Sequence, residues 1–121
     1  MHCMVQAEVL KTYQKIQDIE KMPDLLIHVP DSDRNLAVVE IKLAGNSYKR
    51  LEDDLDKLAL FRRVLRYETL VEIVIGSAVE LKRVRDCLEL FRSETETQID
   101  ILLLSLEDHQ ASHLRVHHSQ R

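Results

Sequence analysis

The sequence predicts an α/β fold, a mixed β-sheet flanked by α-helices. Three observations carry that prediction. Two short apolar runs, Leu25–Val29 and Leu36–Ala44, flank a polar turn. From Leu51 the apolar period lengthens to that of a helix. Beyond it, strand-like and helical stretches alternate, as they do where helices cross over a sheet.

At the start of the chain, Val5, Val9, Tyr13, Ile16 and Ile19 fit a helical stripe, yet Cys3, Val5, Ala7 and Val9 also alternate with Met4, Gln6 and Glu8. A strand from about Val5 to Thr12 is preferred, and the helical reading stays open. Leu25–Val29 is apolar and bounded by Pro23 and Pro30, which makes it a strand. Pro30-Asp31-Ser32-Asp33-Arg34-Asn35 is turn chemistry. Leu36–Ala44 follows as a Val/Ile-rich strand with apolar residues on both faces, and Gly45-Asn46-Ser47 ends it. Leu51, Leu55, Leu58 and Leu65 recur at helical spacing with Phe61 beside them. Leu70–Ile75 is strand-like and closes at Gly76. Ser77 with Glu80 makes a capping box, opening a helix whose stripe is Leu81, Val84, Leu88 and Phe91. Ile99–Leu106 is the last predicted strand.

The chain has 121 residues, 45% hydrophobic and 31% charged. That suits one domain, read as residues 1–108, followed by a polar, His-rich tail at 109–121. Cys3 and Cys87 make no disulfide framework, so a reducing, cytoplasmic setting is expected. No apolar run approaches the ~20 residues of a membrane helix, and no membrane partner is expected. The net charge of −4 argues against a nonspecific nucleic-acid coat but leaves local contact open.

The chemistry concentrates on the two central strands. Glu40 and Lys42 share a face, ~6.6–7 Å apart by strand rise. A buried acid and a buried lysine are costly unless paired or serving a metal. A hairpin turning near residues 32–33 sets Asp24 opposite residues 41–42, so that Asp24, Glu40 and Lys42 converge.

Pro23-Asp24, a gap of 15 residues and then Glu40-Ile41-Lys42 resemble the PD-(D/E)xK nuclease superfamily, whose fold is restriction-endonuclease-like. Asp24-Leu25-Leu26-Ile27-His28 and Asn35–Lys42 look like its second and third core strands, and Asp54-Leu55-Asp56-Lys57-Leu58 like the start of the helix after them. The resemblance covers roughly residues 5–76 and leaves the chain shorter at its N-terminus than the family pattern. It implies Mg²⁺- or Mn²⁺-dependent hydrolysis of nucleic acid, DNA rather than RNA, with a homodimer as one arrangement. Asp24, Glu40 and the backbone carbonyl of Ile41 would hold the ion, and Glu8 is a further candidate ligand. Lys42 would orient the attacking water or stabilise charge on phosphorus, so Lys42→Ala is expected to stop cleavage with folding nearly intact. Lys57 and Arg62 are candidate nucleic-acid contacts. The same fold also serves as a noncatalytic protein- or nucleic-acid-binding module.

Each residue has a plainer reading. Glu40 and Lys42 make an ion pair on a strand, Asp24 caps a turn, and Glu8 and Lys57 are solvated charges. His28 is a satisfied or half-exposed histidine. His109, His113 and His117 recur every four residues, a metal stripe if helical and otherwise part of a frayed tail.

Overall fold

The computed structural model describes residues 4–6, 23–30, 32, 34–45, 48–89 and 97–118. They form β1 (Met4–Gln6), β2 (Leu25–His28), β3 (Asn35–Leu43), α1 (Tyr48–Leu65), β4 (Thr69–Gly76), α2 (Ala78–Glu89), β5 (Thr97–Ser105) and β6 (Ala111–His118). The strands make one mixed sheet in chain order, β1-β2-β3-β4-β5-β6. The β1–β2, β2–β3 and β5–β6 pairs are antiparallel, and β3–β4 and β4–β5 are parallel. No helix among the described residues is long and apolar enough to cross a membrane.

The predicted hairpin forms, because two β-branched, apolar runs bracket a turn that supplies its own polar partners. Ser32 Oγ donates to Val29 O at 3.0 Å and accepts from Arg34 N at 3.1 Å. The register differs from the sequence expectation. Leu25 pairs with Val39 and Ile27 with Ala37, and a bulge after Ile27 brings His28 opposite Asn35. One further step along this ladder sets Asp24 across from Glu40 rather than from residues 41–42.

The two crossovers, β3–α1–β4 and β4–α2–β5, step the same way along the sheet. Right-handed connections then lay both helices on one face. The core agrees: Leu51, Leu55, Leu58 and Phe61 of α1 and Leu81, Val84 and Leu88 of α2 join one cluster with Leu26, Val38, Leu70, Val74, Ile99, Ile101, Leu103 and Val116 of the sheet. All of those sheet residues belong to a single side-chain parity across the ladders. The other parity carries Ile41 and Leu43, which are 43% and 63% exposed. The expectation that this strand is buried on both faces therefore fails at its C-terminal end, since neither helix covers that side.

The capping box predicted for α2 forms. At the start of α2, Glu80 N donates to Ser77 Oγ at 3.2 Å while Ser77 N donates to Glu80 Oε1 at 3.0 Å. These bonds hold the Glu80 carboxyl below its ordinary pKa. α1 ends on Arg66 with φ 59°, its N–H donating to Arg62 O at 3.0 Å. Gly76 ends β4 where the backbone passes Ala44, whose Cβ lies 2.6 Å from where a Cβ on Gly76 would stand. Gly76→Ala is expected to cost about 1–3 kcal/mol through overpacking, read as a lower urea midpoint at unchanged slope. An unchanged midpoint would show that the two strands have room to part.

At the start of the chain the strand reading holds where residues are described, and at the end one expectation is corrected. β1 lies antiparallel to β2, Val5 opposite Ile27, so a first strand exists over Met4–Gln6; the rest of the predicted strand, with Glu8 and Thr12, lies outside the described residues. The polar tail is not a tail over its central part. Residues 111–118 form β6, paired along β5 from Ala111 opposite Leu104 to His118 opposite Thr97. Val116 is buried in the core and Leu114 packs against it, while His113 and Arg115 on the opposite face bind Asp100 Oδ1 at 3.0 and 2.9 Å. His113 and His117 thus stand on a strand and His109 in the turn before it, with φ 58°, not on a helical stripe. Phe91 lies outside the described residues.

Candidate functional site

The site forms where the β2–β3 hairpin meets α1. Asp24, just before β2, is exposed and reaches sideways to β3: its Oδ2 accepts the Ile41 N–H at 2.7 Å. That bond fixes Asp24 against the Glu40-Ile41-Lys42 tripeptide and commits one of its two oxygens. Asp24 is also close enough for its charge to push the Glu40 pKa upward. Ile41 points to the far face, so only its backbone is available here.

Glu40 and Lys42 point into the α1 face, as alternation requires, but they do not pair with each other. Each takes a partner one helical turn apart on α1. Lys57 Nζ lies 3.0 Å from Glu40 Oε2, and Lys42 Nζ lies 2.6 Å from Asp54 Oδ2. Lys42 also approaches Arg50 O at 3.5 Å. All four side chains are largely buried, Lys42 and Asp54 at 13% and 15% exposure. Asp54 and Lys57 share a face because residues three apart on a helix are neighbours. The reading of Lys57 as a solvated helix-face lysine gives way to a buried ion pair, and so does the Glu40–Lys42 pair.

A third acid completes the cluster. Glu72 stands beside Glu40 in the β3–β4 register and is 0% exposed. Among the described residues no N–H or O–H group donates to either of its carboxyl oxygens, and its hydrogen-bonding neighbour is the Asp54 carboxyl. Burial, with Asp54 and Glu40 alongside, pushes its pKa up to about 10, so it carries its proton at neutral pH. A proton there lets Glu72 donate to Asp54, which as a carboxylate only accepts. Burial is also the main cause of a raised Glu40 pKa, opposed by the Lys57 ammonium. Glu40 Oε2 and Asp54 Oδ2 meet their lysines without hydrogen-bond alignment.

Arg62 stands elsewhere. It donates to Tyr67 O at 3.0 Å and Glu68 O at 2.9 Å, tying the end of α1 to the start of β4. It lines a polar cleft of about 400 Å³ with Thr69, Thr97, Asp100 and Arg115, at the opening ends of the parallel strands and away from Lys42. The structure thus separates Arg62 from Lys57, its companion among the candidate nucleic-acid contacts. Glu72 was not singled out from the sequence, although a charged residue between Leu70 and Val74 on a buried strand face is a readable signal. Asp54 had a subtler one, its place beside the Leu51–Leu55–Leu58 stripe.

The donors suit a hard cation in kind. Asp24 and Glu40 offer carboxylates and Ile41 a carbonyl, the set Mg²⁺ takes with water and phosphate oxygens. Buried acid oxygens without aligned donors stand at Glu40, Asp54 and Glu72, while the charges of Glu40 and Asp54 are matched by Lys57 and Lys42. Among the described residues no three acids, histidines or cysteines gather into a complete metal cage. No family model matches the chain, and no curated protein or solved structure is significantly similar to it.

Proposed function

We propose that this chain is a nuclease of the PD-(D/E)xK type, with a restriction-endonuclease-like core, that hydrolyses phosphodiester bonds of nucleic acid with Mg²⁺ or Mn²⁺. The observation that carries the reading is the hairpin register, with Asp24 bonded to the Ile41 amide beside Glu40. Asp24, Glu40 and the Ile41 carbonyl would hold the ion, with Glu8, outside the described residues, a further candidate. When bound, such an ion polarises the phosphate and lowers the pKa of its water. Lys42 lets go of Asp54 and turns its ammonium to the phosphate, where it stabilises the charge that builds on the oxygens. Asp54, left without Lys42, keeps the Glu72 proton as its partner. DNA is the proposed substrate; an enzyme acting on both strands works as two copies or by two successive nicks.

One observation favours a second reading, a noncatalytic binding module of the same fold. Glu40 and Lys42 are both already in ion pairs with α1. Hydrolysis decides between the two. The parent chain with Mg²⁺ or Mn²⁺ is expected to cleave single- or double-stranded DNA, and Asp24→Asn or Glu40→Gln to lower the rate at least ~100-fold, in the range of losses seen on removing one catalytic group. No cleavage of any DNA or RNA by the parent would leave the binding module as the better account.

A further inference from the structure

Glu40 already has a cation. Lys57 Nζ stands 3.0 Å from Oε2, the two side chains are 13% and 11% exposed, and the contact lacks the alignment of a hydrogen bond. A lysine is suited to such a role, being a compact charge on a flexible four-carbon stem that can swing away without moving the helix. Lys42 is placed differently, on Asp54 at 2.6 Å with Arg50 O as a second neighbour. Asp24 spends its Oδ2 on a backbone amide instead. The one carboxylate oxygen that a lysine and a metal would both claim is therefore Glu40 Oε2.

We propose that Lys57 is a resident counter-cation for Glu40, which a divalent ion displaces on binding, so that α1 sets the cation affinity of the hairpin site. This rests on the nuclease reading of Asp24 and Glu40. In this reading the ion takes Oε2 and Lys57 gives it up, so the free energy of the Glu40–Lys57 contact is subtracted from that of the incoming ion. The pair also spares Glu40 from standing as a lone buried charge while the site waits. Lys57 is thereby a positioning residue: it acts on Glu40 and touches neither water nor phosphate in this role.

Calorimetric titration of the whole chain with MnCl₂ at pH 8 tests this. Lys57→Met is expected to bind Mn²⁺ about tenfold tighter than the parent, the factor that ~1.4 kcal/mol of lost competition gives. Lys57→Gln removes the charge but keeps a donor for Glu40, so the comparison stands if the methionine variant does not fold. Lys57→Arg keeps the charge and is expected to show no gain. Lys42→Met removes an equal charge from Asp54 and is expected to gain less than Lys57→Met. A purely structural pair predicts unchanged or weaker binding in both uncharged variants. That result, with a parent that binds Mn²⁺ and a Glu40→Gln that does not, overturns the displacement while the site stands. A silent parent with a binding Lys57→Met supports it. If neither the parent nor any variant binds, the cation site falls and the displacement with it.

Discussion

Lys42→Met is expected to abolish metal-dependent cleavage and to lower stability by ~3 kcal/mol at once. The second effect separates the structure from the sequence expectation, in which folding is nearly intact. Lys42 Nζ lies 2.6 Å from Asp54 Oδ2 with both side chains largely buried. Losing one partner leaves the other as an unpaired charge, which costs ~3–5 kcal/mol when burial is complete. The residual exposure of the pair places the effect at the low end. Lys42→Met combined with Asp54→Asn should recover part of the loss, since the orphaned charge is gone. Urea unfolding of the single and double variants measures this; a single variant as stable as the parent would show that the pair contributes nothing.

Glu72→Gln is expected to stabilise the chain at pH 8 and to leave it unchanged near pH 5. The Glu72 pKa rises from 4.5 in the unfolded chain to about 10 in the folded one. Below pH 4.5 both states hold the proton and the residue contributes no pH dependence. Above it the unfolded chain releases the proton while the folded chain keeps it, so stability falls as pH rises, up to about pH 10. One proton costs on the order of 1 kcal/mol per pH unit, or up to about 4 kcal/mol between pH 5 and 8. Glutamine mimics the neutral acid and does not titrate. The difference between variant and parent should therefore grow across that range, and parallel curves would show that Glu72 is ionised or solvated in the folded chain.

The strands and helices were legible because their signals are local. The Pro-bounded run at Leu25–Val29, the capping box at Ser77 and Glu80, and the change of period at Leu51 each depend on neighbours in sequence. The hairpin register was nearly legible, off by one or two residues at Asp24; the ladder is also interrupted by a bulge at Ile27 and His28, which leaves no mark that composition reveals. β6 was missed because its large apolar residues are Leu114 and Val116 alone, set among histidines that polarity assigns to a tail. At the site, Glu40 and Lys42 were placed on one face correctly, but their partners were not legible. The choice of Lys57 over Lys42 for Glu40 depends on how α1 crosses the sheet, and no spacing within a strand encodes that. Glu72 became important only when β4 was known to lie beside β3 in parallel register, Glu72 against Glu40.

The proposed nuclease depends on a cation site that the β2–β3 hairpin would make of Asp24 and Glu40. Paramagnetic broadening by Mn²⁺ in the amide spectrum of the labelled chain tests it most directly, because it locates the ion without depending on substrate. Early loss of the Leu25, Glu40, Ile41 and Lys42 signals is expected, with those around Arg62, Asp100 and Arg115 at the other cleft retained. Asp24→Asn and Glu40→Gln are each expected to restore the lost signals. Broadening centred on Asp100 and His113, or none near Ile41 at any Mn²⁺ concentration, would contradict the proposed site.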